Sequence, residues 1–346
     1  LYSSLINNSF GALGWCLNDF DFEDKRPYSH HPFEERFGIV QVDKTIKPAG
    51  EEIKKFSQTC QEIYSNKYQK IEENVGLLIP SYYYTKYPYM FEPEFYNWYD
   101  FYLQSFSLMK RAGLNVECII EPPIQLDNME QLTPEDKQLS PDKYPVLFAP
   151  LLKVFTKKYW RKIVDYVNNG GILYSSFVID SWALDWDRIA GLEIDCKVGV
   201  PDFKNSEILD VRLNKKWGYF KGGIEYELKL RKDNPELSYC KVNEVYGETI
   251  LEDQDKEPIL VSNRYGKGTI YFSLYPIEMF SLSEPENDDW EKFVVEIYTA
   301  IKSSIQFNSD FDLKAENMEM GVWKEIDESS YIIIILNHSW QKNTGF

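Results

Sequence analysis

Histidine is scarce in this chain, and basic residues are outnumbered. Three histidines in 346 residues leave too few ligands for a His-rich metal site. Two of them, His30 and His31, are adjacent, and neighbours on an extended chain point opposite ways. Lysine and arginine total 38 against 55 acidic residues, a formal net charge of −17. That balance argues against a nucleic-acid partner, because phosphate binding needs clustered Lys and Arg. It fits a solvated acidic surface and neutral ligands. The five cysteines, Cys16, Cys60, Cys118, Cys196 and Cys240, include no Cys-x-x-Cys pair, so neither a zinc ribbon nor a disulfide framework is expected. Cys16 and Cys118 lie in apolar, strand-like runs and read as buried thiols. Nowhere is there a run of the roughly 18 apolar residues that a membrane helix needs; the longest, Tyr331 to Leu336, suits a strand. Arg264 to Thr269 (RYGKGT) contains Gly-Lys without the P-loop spacing that cradles phosphate, and reads as a hairpin turn. No metal and no cofactor is therefore expected. The chain begins at Leu1 without a signal peptide, and since an upstream segment could carry one, the compartment stays open, with the cytoplasm slightly favoured.

Aromatic residues are abundant, at 16% of the chain, with 25 Tyr, 21 Phe and 9 Trp. Such rings pack cores, and they also stack on the apolar faces of sugars. Three segments follow from the patterning. Residues 1–68 hold one apolar run bounded by glycine, Gly11 to Leu17 (GALGWCL), which predicts a buried strand. A polar, aromatic-rich loop follows, then Phe37 to Val42, and then a helix opened by Pro48 and running to about Ser65. Residues 69–307 alternate strands and helices. Val75 to Ile79, Val116 to Ile120, Val146 to Ala149 and Ile172 to Val178 are continuous apolar strands. Helices are predicted over Glu94 to Ala112, closed by Gly113, and after Thr156 as N-cap. The second of these buries Tyr159, Trp160, Ile163, Val164 and Val167 and ends at Asn168-Asn169-Gly170-Gly171. Apolar strands separated by helices predict a parallel sheet covered on both faces. Beyond Asp180 short strands take over, among them a hairpin of Pro258 to Asn263 and Thr269 to Leu274. An amphipathic helix follows, Trp290 to Ile305. Residues 308–346 carry two strands, Met318 to Glu325 and Ser330 to Leu336, which are marginal alone and belong to a small β-domain that is truncated or borrows partners.

The most informative stretch is Gly11 to Pro48. Trp15, Asp19, Pro27-Tyr28, Glu34, Phe37-Gly38 and Lys47-Pro48 occur there in order. In that arrangement the stretch resembles the last strand and loop of the catalytic (β/α)8 barrel in the clan that holds glycoside hydrolase family 5, its mannanase-like members above all. The resemblance implies that Trp15 is an aromatic platform under the sugar, at the strand end where barrel active sites lie. It offers Asn18, Asp19, Tyr28 and Glu34 as further substrate-binding residues. Read by themselves, these polar groups fit loop capping equally well, and Trp15 fits a core filler. Residues 69–307 resemble the glutamine-amidotransferase-like domain that follows the barrel in family 42 β-galactosidases, where it mediates trimer assembly. Val75-Gly76-Leu77-Leu78-Ile79, Val146 to Pro150 and Ile163 to Phe177 carry that likeness. The turn where such enzymes place a nucleophilic Cys reads Tyr174-Ser175-Ser176-Phe177 here. It has neither the Cys nor flanking glycines, so Ser175 and Ser176 read as local hydrogen-bonding groups.

The fold class expected is α/β: a barrel remnant, a flavodoxin-like domain with a β-rich extension, and part of a C-terminal β-domain. Glycoside hydrolysis needs two carboxyl groups about 5–9 Å apart across the scissile bond. The resemblance places them at the fourth and seventh barrel strands, which would precede Leu1, so no catalytic residue is assigned. The chain thus reads as the C-terminal part of a hydrolase of β-linked glycosides, mannan- or galactoside-like, serving assembly. Its expected partners are the parent's carbohydrate substrate and further copies of itself, with no nucleic acid and no membrane. The alternative is a non-enzymatic carbohydrate-binding or interaction module.

Overall fold

A computed structural model of the chain describes residues 1–7, 9, 11–21, 24–27, 30, 35–65, 67–71, 74–85, 98–123, 137–178, 185–195, 208–213, 217, 226–229, 239–283, 288–305, 318–327 and 330–337. Along the chain these form α1 (Tyr2–Ile6), α2 (Pro48–Ile63), β1 (Tyr68–Lys70), β2 (Asn74–Ile79), α3 (Trp98–Arg111), β3 (Asn115–Ile120), β4 (Val146–Ala149), α4 (Lys157–Asn168) and β5 (Ile172–Ser176). There follow α5 (Trp186–Ala190), β6 (Leu192–Ile194), β7 (Ile208–Leu213), β8 (Tyr226–Lys229), β9 (Val242–Val245), β10 (Glu248–Glu252), β11 (Pro258–Tyr265) and β12 (Gly268–Ser273). The last are α6 (Ile277–Ser283), α7 (Asp288–Ser303), β13 (Met318–Glu325) and β14 (Tyr331–Asn337). They divide into two compact units, Glu73–Glu316 and a second made of Leu1–Glu72 with Asn317–Phe346.

The Glu73–Glu316 unit is built on a nine-stranded sheet of order β3-β2-β4-β5-β12-β11-β10-β7-β8. The first five strands are parallel, and the other four continue as antiparallel neighbours. The predicted parallel sheet is thus its first half. Both faces are covered. Tyr174 of β5 packs on Tyr298 of α7, while Phe272 of β12, in register with Ser175 and so on the opposite face, packs on Trp186 of α5. The interior strand β4 (VLFA) is buried at every residue, as a strand covered on both faces must be. Thr156 does cap α4: its hydroxyl accepts the Tyr159 amide at 3.3 Å. Tyr159, Trp160, Ile163, Tyr166 and Val167 form the buried face of that helix. The hairpin β11–β12 closes through Gly266-Lys267, with Tyr265 paired to Gly268. Gly266 takes φ +60 at the first loop position, where a side chain would be strained. Cys118 departs from its expected burial and is exposed. It lies on β3, the end strand of the sheet, whose alternate residues face outward.

The other unit joins both ends of the sequence. Tyr68–Lys70 pairs antiparallel with β13, and β13 with β14 over seven residue pairs, so the C-terminal hairpin does borrow its third strand. Leu5 and Ile6 of α1, Ile63 of α2 and Trp323 of β13 form a small core. Ile332, Ile334 and Leu336, alternate residues of β14, pack against it. Buried Glu319 accepts from Ser3 Oγ at 2.8 Å and Asn7 Nδ2 at 2.6 Å, and Lys70 Nζ donates to the Ile6 carbonyl. The helix expected at Pro48 begins there, with Lys47 as N-cap. Gly11 to Leu17 is not the buried strand expected: Leu13, Trp15 and Leu17 are exposed and no strand is assigned there. Among the described residues its only backbone partners are at its end, where the Ile39 and Val40 amides reach the Cys16 and Leu17 carbonyls, and an apolar run without a continuous ladder cannot satisfy its backbone as a strand. The described residues form no closed barrel.

Candidate functional site

Trp15, the residue singled out as a sugar platform, has 75% of its surface open. Its segment is tethered just beyond it. Ile39 N donates to Cys16 O, Val40 N to Leu17 O and Asp19 N to Val40 O, at 2.8–3.2 Å, and Asn18 forms an isolated parallel bridge with Val40. Gly38 permits this approach, because a Cβ there would lie 2.2 Å from the Asp19 amide nitrogen. Asp19 is buried and bound: Lys47 Nζ reaches Oδ1 at 2.6 Å, with the Asp19 side chain 2% exposed. Lys47 also donates to the Arg36 carbonyl at 2.9 Å. The geometry thus makes Asp19 an internal anchor of the loop, leaves half-buried Asn18 beside it, and leaves the Trp15 ring free. Tyr28 and Glu34 lie outside the described residues.

A second constellation, which sequence reasoning did not find, sits at the carboxyl ends of the parallel strands. Glu121 follows β3 and Glu278 lies in α6; both are fully buried. The Ser81 amide and hydroxyl donate to Glu121 Oε2 at 2.8 and 2.9 Å, and the Thr156 amide donates to Oε1 at 2.8 Å. Glu278 accepts Tyr174 and Tyr298 hydroxyls on Oε1 at 2.6 and 2.9 Å and Ser176 Oγ on Oε2 at 2.6 Å. Burial raises the Glu278 carboxyl above its ordinary range against the pull of those three donors. Burial first, and then the Glu278 charge, push the Tyr174 and Tyr298 hydroxyls well up. Ser175 Oγ donates to the Ala149 carbonyl at 2.9 Å. Ser176 Oγ takes the Leu151 amide at 2.8 Å. A serine held between an amide and a carboxylate, with no imidazole in the set, is not activated as a nucleophile. The available signal was positional: Glu121 ends an apolar strand and precedes Pro122-Pro123. Among the described residues no three His, Cys, Asp or Glu side chains are grouped to hold a metal, and no helix is long and apolar enough to cross a membrane.

The sequence matches no protein-family model and no curated protein. Solved structures do match. An exo-β-1,4-mannosidase from an Opitutaceae bacterium aligns over 85% of this chain at 19% identity with a TM-score of 0.60. A β-galactosidase from Bacillus circulans sp. alkalophilus aligns over 97% at 11% identity and TM-score 0.60. A GH42 β-galactosidase from G. stearothermophilus aligns over 97% at 14% identity and TM-score 0.57. The chain spans 46%, 45% and 48% of those proteins, respectively. At these identities the likeness is one of fold. The expected resemblance to the glycoside hydrolase clan holds at that level: the chain's fold is similar to part of a mannosidase and of β-galactosidases.

Proposed function

We propose that this chain is one part of a hydrolase of β-linked glycosides, mannan- or galactoside-like, that works by a retaining two-carboxylate mechanism. In this reading the catalytic carboxyl groups reside outside the chain, residues 1–68 belong to the end of the catalytic barrel, and Trp15 is the platform under the sugar. Residues 69–307 are a flavodoxin-like, amidotransferase-like domain that assembles copies of the enzyme, and residues 308–346 open a small β-domain. The carrying observation is the shared fold with a mannosidase and β-galactosidases over most of this chain, at less than half of their lengths. The openness of Trp15 supports its role. The full gene product should hydrolyse 4-nitrophenyl β-mannoside or β-galactoside, while residues 1–346 alone should hydrolyse neither. Trp15→Ala in the full product should lower kcat/KM about 3- to 12-fold, the scale of one lost aromatic contact. A full product inactive on both glycosides, or a Trp15→Ala enzyme as active as the parent, defeats the reading. The openness of Trp15 also suits a carbohydrate-binding module without catalysis. That alternative requires residues 1–346 to bind manno-oligosaccharides by calorimetry while the full product stays inactive.

A further inference from the structure

The parallel half of the sheet has a topological switch point. From β2 the chain moves outward to β3, then returns to the other side of β2 to lay down β4. The crevice between the carboxyl ends of β2 and β4 is where open α/β sheets bind ligands, commonly anions held by backbone amides and a helix N-terminus. Here the donors are in place. The Ser81 amide and hydroxyl come from the turn after β2, and the Thr156 amide from the N-cap of the twelve-residue helix α4. All three converge on one carboxylate, and it is the chain's own. Glu121 leaves the end of β3, with its amide held by the Ile79 carbonyl at 2.9 Å and its carbonyl by the Tyr84 hydroxyl, and its side chain is fully buried. A second observation points to the same place. Tyr102 is 95% buried by virtue of its 5% exposure, and its hydroxyl has no hydrogen-bond partner among the described residues. Its ring packs edge to face, at 5.6 Å, on Tyr83, which belongs to the same turn after β2 that carries Ser81.

We infer that the crevice at the carboxyl ends of β2 and β4 is a small-carboxylate binding site that Glu121 occupies from within. The cradle demands an anion: three donors face one point inside the protein, and leaving them unmet costs the full desolvation of each. Because the occupant is covalently part of the chain, its local concentration is fixed and an external carboxylate is shut out. This gives the Glu73–Glu316 unit a ligand cradle without a free ligand site.

The test is excision and replacement. Glu121→Ala removes a fragment with the size and charge of acetate. The variant of the full chain should melt several degrees below the parent, and sodium acetate should restore its Tm along a saturating curve, as a ligand that binds only the folded state does. Acetamide and sodium chloride at equal concentration should not restore it, and acetate should leave the parent's Tm unmoved. Equal restoration by acetamide would show a cavity with no preference for charge, and no restoration by acetate would show no site; either overturns the inference. Should the alanine variant not fold, Glu121→Gln keeps the volume and sets an NH2 group against N–H donors. A fall in Tm of about 3 °C or more supports an anion requirement, and a Tm equal to the parent's overturns it.

Discussion

Glu278 shows how a single side chain ties the stability of the sheet to pH. Its carboxyl group is fully buried, and burial raises its proton affinity above the ordinary value of 4.5 more than the hydroxyls of Ser176, Tyr174 and Tyr298 lower it. An acid whose folded-state pKa is raised keeps its proton longer in the folded than in the unfolded protein. Its contribution is therefore most favourable below about pH 4.5 and is lost as pH climbs through the folded-state value. Glu278→Gln removes the titration while keeping the shape. Thermal melts of parent and variant across pH 4 to 8 should show the variant at its greatest relative disadvantage at acid pH, with the gap narrowing or reversing as pH rises. A gap independent of pH would mean that Glu278 does not change protonation on unfolding.

At the scale of elements, helix α4 joins β4 to β5 and supplies one of the amides that hold Glu121, so its first turn must be well set. Thr156 accepts the Tyr159 amide, and Thr156→Ala should cost about 1 kcal/mol of stability by urea unfolding, the usual worth of an N-cap. Thr156→Ser should recover most of it. This helix was legible in the sequence because its signals are local: a capping threonine, a buried face repeating every three to four residues, and a closing Asn-Gly-Gly. β4 was legible for the same reason, since a strand covered on both faces must be apolar throughout. Gly11 to Leu17 was misread because an apolar run says nothing of whether partners exist to pair with it. Cys118 was misread because the sequence does not reveal that β3 lies at the end of the sheet. The Asp19–Lys47 pair joins two positions of the stretch whose sequence resembles a glycoside-hydrolase barrel end, and yet only the fold shows that they satisfy each other. Glu121 and Glu278 were invisible for a related reason: the donors that make a buried carboxylate tolerable come from the turn after β2, the start of α4, β5 and α7, and no spacing rule joins those segments.

At the scale of the molecule, the two ends of the sequence make one unit. Among the described residues, α1 and α2 bury Leu5, Ile6 and Ile63 with Trp323 of β13, and Phe56 and Cys60 of α2, Tyr68 of β1 and alternate residues of β14 pack on that cluster. Short helices do not persist in water by propensity alone, so α2 depends on that packing. Glu319 of β13 adds a second tie, as the acceptor for Ser3 and Asn7 of the first segment. A chain ending at residue 316 lacks β13 and β14 and with them Trp323, the largest side chain of that cluster. In such a chain trypsin should cut after Lys54 and Lys55, in the middle of α2, at least tenfold faster than in the full chain, because cleavage within a helix requires its local unfolding. The Glu73–Glu316 unit should keep its own core, in which Phe148, Tyr174 and Tyr298 pack ring against ring, and its near-ultraviolet circular dichroism transition should stay where it was. Mass spectrometry of timed digests separates the two outcomes. Protection of Lys54 and Lys55 in the shortened chain would mean that α2 is held by something other than the C-terminal hairpin, and the joining of the two chain ends would then be incidental to its stability.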